Sequence, residues 1–282
     1  MVPIGLRAGA TAAALLAAGL PIFLFLYGHL LDRSLRRVRS SVLPTALLAL
    51  ALATLHAIVE PARLAGAWSG VIDPSLHALL LSSDFGTTTA IRAFGLILIA
   101  GSARWAGRLG TGVSVIGAAL VAISFALMGH TASDPQRWLL APLLLIHLLA
   151  IAFWLGALWP LLNVIRLETE ATAASVINRF SRTALCVVPL VLLAGLAMGG
   201  LLLTSLSGLR TPYGVSLVTK FAGFTVLMAL AALNKWRLTP GVAQGNQFSV
   251  LAFRMSVLAE GVLILAVITV TAVMTSLFSP GH

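Results

Sequence analysis

The chain has 282 residues, 59% of them hydrophobic and 9% charged, with a formal net charge of +10. A soluble domain carries about a quarter charged residues and covers itself with them, so a mean hydropathy of +1.03 excludes an ordinary water-soluble enzyme and makes lipid the solvent. The positive balance is accounted for by arginines beside anionic headgroups and calls for no nucleic acid.

Crossing about 30 Å of hydrocarbon takes about 20 mostly apolar residues. Runs of that length, bounded by charge, Pro or Gly, predict eight spans at 8–31, 42–60, 88–103, 111–129, 138–162, 184–206, 215–236 and 255–278, the third being the least apolar. The expected fold is therefore all-α: a polytopic bundle of eight transmembrane helices forming a single domain over residues 1–282. The first apolar run continues from Ala8 to Leu31 without a small-residue cleavage site, so it reads as a span rather than a leader.

Between these spans, alternate connections carry Arg33, Arg36, Arg37 and Arg39, then Arg104 and Arg108, then Arg166, Arg179 and Arg182, then Lys235, Arg237 and Arg254. These twelve residues mark the cytoplasmic side, because short loops rich in Lys and Arg stay there, and both termini are then periplasmic. The outer segment 61–87 is expected to fold back on the membrane surface. In the inner segment 166–183, Val176, Ile177 and Phe180 recur at spacings of three and four, which predicts an interfacial helix leading into the sixth span. Gly195 and Gly199 form a GxxxG, read as a close helix-packing face. Cys186 is the sole cysteine, so there is neither an internal disulfide nor a paired-cysteine metal motif.

An ionisable side chain in hydrocarbon costs a few kcal/mol or more and is by default a functional candidate. The candidates are His56 and Glu60 near the outer end of the second span, Arg92 in the third, His130 closing the fourth, His147 in the fifth, Lys220 in the seventh and Glu260 in the eighth. At 1.5 Å per residue, His56 lies about one turn below the outer surface and His147 about 13 Å below it, so three imidazoles share the outer half. Neutral imidazole binds copper or zinc, and Glu60, one helical turn from His56, can serve as ligand or as its acceptor. Met128 brings a thioether suited to Cu(I), although it points away from His130 on a regular helix unless that end unwinds. The competing reading for each histidine is a hydrogen bond to a neighbouring hydroxyl or carbonyl, and for Met128 plain packing. Glu260 is expected either to pair with an inner-side arginine or to relay a proton, and Lys220 to snorkel outward unless it faces the bundle. Pro142 is expected to kink the fifth helix and free backbone near His147. His29, His77 and His282 are set aside.

Several of these positions fall in a pattern. Gly129-His130-Thr131-Ala132 ends the fourth span, and His147 through Trp154 to Gly156 runs through the fifth. Arg179-Phe180-Ser181, Tyr213-Gly214 with Lys220, Asn234 through Pro240, and Glu260 follow in order. This pattern resembles the copper resistance protein D (CopD) family of bacterial inner-membrane proteins over nearly the whole chain, with Gly156-Ala157 where the family often has paired glycines. The resemblance implies an eight-helix inner-membrane protein that handles copper with a periplasmic partner of the CopC type, moving the ion inward as its substrate, and it carries over His130 and His147 as metal ligands. His56, Glu60 and Met128 rest on the depth argument alone.

Copper transport is thus the expected function, without enzymatic turnover; there is no nucleotide-binding P-loop in the sequence. Two alternatives stand beside it: a haem- or metal-binding membrane electron carrier, which needs facing histidine pairs, and a non-transporting anchor or sensor that docks a periplasmic partner.

Overall fold

The structure is a computed structural model that describes residues 2–105, 107–128, 135–202 and 206–278. Among them it is helical throughout, with no strand: α1 (Val2–Tyr27), α2 (Leu35–Ser40), α3 (Val42–Ala65), α4 (Pro74–Leu81), α5 (Asp84–Ser102), α6 (Gly107–Ala126), α7 (Arg137–Leu167), α8 (Glu170–Leu202), α9 (Pro212–Leu233), α10 (Thr239–Ala243) and α11 (Gln247–Leu277). Eight helical segments among the described residues are long and apolar enough to cross a membrane, matching the expected number.

Local sequence sets the boundaries. Asp73 caps α4 by accepting from the backbone N–H groups of Ser75 and Leu76, with Pro74 in the first turn. Thr211 with Pro212 starts α9, and Asn246 caps α11 through Ser249. Gly66 closes α3 in the left-handed region (φ 66°), which a side chain would resist. The helices run past the apolar stretches because hydropathy reports the hydrocarbon depth while hydrogen bonding continues beyond it. The second span therefore reaches Ala65, the fifth Leu167, and the last begins at Gln247.

α1 is the most enclosed helix and the axis of the bundle. It packs against α3, α5, α6, α7 and α11, burying Ala14, Ala17, Ala18, Leu20 and Phe23. In lipid the hydrophobic effect does not drive helices together, so contact depends on close fit. That fit is tightest where α1 crosses α7. A Cβ on Gly19 would fall 1.9 Å from the Ala152 carbonyl oxygen, and one on Gly156 2.2 Å from the Gly19 carbonyl carbon. α5 and α6 touch in the same manner at Gly95 and Gly117. The Gly195-Gly199 pair acts differently, since Gly195 faces the His147 ring and Gly199 the Leu217 side chain, with no neighbouring backbone within 4 Å. α9 is the least enclosed helix; it lies along α11 and makes at most marginal contact with α8.

Both ends of the bundle are stitched. At one, Arg7 Nη1 near the start of α1 donates to Ser276 Oγ near the end of α11 (3.1 Å), so the two termini share an end. At the other, Glu168 accepts from the backbone N–H groups of Asp32, Arg33 and Ser34 and from Ser34 Oγ at 2.6–3.2 Å, joining the connection after α1 to that after α7. Gly245, in the connection before α11, lies beside Glu170 at this same end.

Two expectations change. Segment 166–183 is no interfacial helix: it takes in the end of α7 and, from Glu170, the start of α8, with Val176 and Ile177 fully buried and Phe180 stacked on Phe153 (5.2 Å) and edge-on to Tyr27 (6.3 Å). A stripe at spacings of three and four fits a neighbouring helix as well as a bilayer surface, and here the neighbours are α1 and α7. Segment 61–87 comprises the end of α3, a 3₁₀ turn, α4 packed on α3 and α5, and the start of α5, with Trp68, Ile72, Leu79 and Leu81 exposed. Despite Pro142 and Pro160, α7 is continuous.

Gly156→Leu is expected to lower thermal stability in detergent by more than the ~1–3 kcal/mol typical of core overpacking, because the atoms it meets are backbone. Gly112→Leu, which meets nothing within 4 Å, serves as the tolerated control. For Glu168, burial alone would raise the carboxyl pKa, but the hydrogen bonds from Ser34, Arg33 and Asp32 outweigh it and hold the group below its ordinary value. Its contribution to stability is therefore fully present above the ordinary glutamate pKa, about 4.3, and is lost as pH falls through the depressed value. A thermal unfolding series from pH 7 to pH 3 should show this loss in the parent and a flatter profile in Glu168→Gln.

Candidate metal site and the polar groups of the bundle

His147 lies on α7 against α8. Its Nδ1 is 3.2 Å from the Val191 carbonyl oxygen. A carbonyl only accepts, so Nδ1 carries the proton and Nε2 keeps its lone pair, the tautomer a metal requires. Gly195 makes room, since a Cβ there would already touch the ring at 3.7 Å. Lys220 of α9 lies within electrostatic reach of the imidazole.

His56 belongs to a different group. Its Nε2 is 3.5 Å from Glu60 Oε2, and its ring is 6.0 Å from that of Phe85 at the start of α5. Glu60 is already engaged by Arg63 Nε at 2.6 Å and acts also on Arg7. Buried Arg92 donates from Nε to Ser124 Oγ (3.0 Å) and stacks on Phe125 at 3.9 Å, while Arg7, Arg63 and Arg92 all act on His56. Two guanidiniums, those of Arg63 and Arg7, thus share the Glu60 carboxylate, three act on His56, and His56 Nε2 and Arg92 Nη2 are buried without a hydrogen-bond partner. Met128 borders this cluster, its sulfur accepting from Thr88 Oγ1 at 3.5 Å.

The predicted site residues therefore fall into two groups. His56 and Glu60 are together, with Met128 alongside, near the ends of α3 and α6 and the start of α5. His147 and Lys220 are together between α7, α8 and α9. Among the described residues, no three His, Cys, Asp or Glu side chains converge as a metal cage would need. His130 and the Gly129–Ala132 motif lie outside the described residues. His77, set aside above, meets the Val71 carbonyl through Nε2 at 2.8 Å.

Glu260 departs from its expected arginine pairing. It sits near the middle of α11, buried, with Oε2 accepting from Trp154 Nε1 (2.9 Å) and Oε1 from Asn234 Nδ2 (2.6 Å). Asn234 opens a π turn over Asn234–Leu238, where Thr239 Oγ1 donates back to the Asn234 carbonyl (2.8 Å). Sequence reasoning missed both donors. Trp154 could have been suspected, because it falls seven residues after His147 and shares its face of α7. Asn234 stands in the family pattern at the head of 234–240, but nothing in its spacing ties it to Glu260.

Removing the carboxylate from the arginine cluster should be costly. Glu60→Ala is expected to destabilise the protein by about 1–3 kcal/mol, and adding Arg63→Ala on that background should recover part of the loss, both read by thermal unfolding in detergent.

Two family models match the chain. Residues 1–138 match the copper resistance protein D-like N-terminal domain, and residues 174–274 match copper resistance protein D. No curated protein and no solved structure matches it. The two matched stretches meet through α1, which packs on α3, α5 and α6 from the first and on α11 from the second. With its eight apolar helices, the chain belongs to the copper resistance protein D family, as a multi-pass membrane protein with that family's role in copper resistance.

Proposed function

We propose that the protein carries copper across the bacterial inner membrane from the periplasm inward, with a CopC-type periplasmic protein as donor and both termini on the periplasmic side. Copper is the substrate, and the protein is a carrier rather than an enzyme. The observation that carries the reading is family membership taken together with the seat of His147, whose Nδ1–H is spent on the Val191 carbonyl and whose Nε2 is left to bind.

The orientation is supported by the arginines. The connections joined by Glu168 at one end of the bundle are those rich in arginine, which stay cytoplasmic. In this reading His147 and His130 are the ligands, the second on the strength of the family motif, while Met128 stays with the His56 group, its sulfur accepting from Thr88 Oγ1. His56 and Glu60 form a separate group that serves as no ligand in this reading, because Arg63 occupies Glu60 and the local excess of positive charge opposes a cation there. Lys220 has a related effect: an ammonium near His147 weakens cation binding, and a carrier must release what it binds.

His147→Ala and His130→Ala are each expected to reduce copper bound per purified protein and to abolish copper uptake by inside-in proteoliposomes, with expression and elution volume unchanged. Unaltered stoichiometry in both variants would remove these residues from the site.

A further inference from the structure

Between α7, α8, α9 and α11 lies a cavity of about 360 Å³, within the range of small-molecule pockets. Its lining comes from all four helices, with Lys235 and Trp236 at its rim. Its surface is almost wholly apolar, and Trp154, Phe180, Phe253 and, at the rim, Trp236 supply aromatic walls. The acidic group in its lining is Glu260.

That carboxylate lacks a cation. Its two oxygens accept from Trp154 and Asn234, both neutral, and no charged side chain acts on it. Lys235 also borders the cavity, but its Nζ is drawn over the Trp236 ring at 5.9 Å, toward the rim. A buried carboxylate with no counter-charge in a low-dielectric pocket is complemented by a positive ligand, and aromatic faces add attraction for a cation whose charge is spread over an apolar body. A bare copper ion fits poorly, since it would find one carboxylate here and no group of three His, Cys, Asp or Glu ligands among the described residues.

We propose that this cavity binds an organic cation of delocalised charge, its positive centre against Glu260 and its apolar groups against the aromatic walls. This site is distinct from the His147 site, which lies about two turns away along α7.

The test is equilibrium dialysis of the full-length protein in detergent micelles against tetraphenylphosphonium, with tetraphenylborate as a competitor of the same shape and opposite charge. Saturable binding of one cation per chain is expected, weakened roughly tenfold or more by Glu260→Gln and unaffected by His147→Ala. Ala184→Phe, which narrows the cavity and leaves the carboxylate in place, should also abolish binding, so the result does not rest on Glu260→Gln folding normally. The proposal is overturned if tetraphenylborate displaces the cation, since the cavity would then be merely apolar. It is overturned equally if Cu(I) displaces the cation or His147→Ala abolishes binding, which would make the cavity part of the copper site, or if both cavity variants bind as the parent does.

Discussion

The crossing of α1 and α7 at Gly19 and Gly156 is the contact on which the placement of the other functional groups depends. Lipid tails are as apolar as leucine side chains, so no gain in apolar burial holds two membrane helices together; near-contact of backbones does. The approach here leaves no space for a Cβ on either helix. Once α7 is pinned by that face, its opposite face is defined as well. At 100° per residue, His147 falls about 180° around the helix from Gly156 and Trp154 about 160°. The glycine that closes the bundle on one side therefore turns the imidazole toward α8 and the indole toward Glu260 on the other.

This geometry separates the charged groups into two environments. In the α1, α3, α5 and α6 half, arginines accumulate around a single glutamate, and part of their charge is met by neutral partners: the Ser124 hydroxyl and the Phe125 face for Arg92, the Ser276 hydroxyl for Arg7. In the α7, α8, α9 and α11 half, the polar groups are fewer, farther apart and set in apolar surroundings. There His147 keeps a free lone pair, and Glu260 keeps both oxygens on neutral donors. The first environment suits holding helix ends together. The second, loosely covered by α9, suits binding that is later undone.

The parts of this arrangement legible in the sequence were those that lipid imposes. Eight spans stand out because hydrocarbon tolerates no unpaired backbone, and both termini share an end because the number of spans is even. Of the family pattern, the pieces at 129–132, 179–181, 213–214, 220, 234–240 and 260 fall inside the stretches that the family models match, and His147 through Gly156 falls between them. What hydropathy leaves unstated is where a helix ends outside the hydrocarbon, and it cannot tell a stripe facing lipid headgroups from one facing another helix, as Val176 and Ile177 show. The partners of Glu260 were illegible for a different reason. An arginine was the expectation because charge pairs with charge, but Trp154 and Asn234 come from positions 106 and 26 residues away, a pairing fixed by tertiary packing that no local spacing encodes.

Depth alone also overstated the convergence of imidazoles. Equal distance from a membrane surface places residues in one layer, not at one point, and the layer of an eight-helix bundle is several helices wide. His56 and His147 share the layer yet have different neighbours: the first is enclosed by α1, α3 and α5, the second by α7, α8 and α9. A metal held at His147 must therefore draw its other ligands from helices near α7.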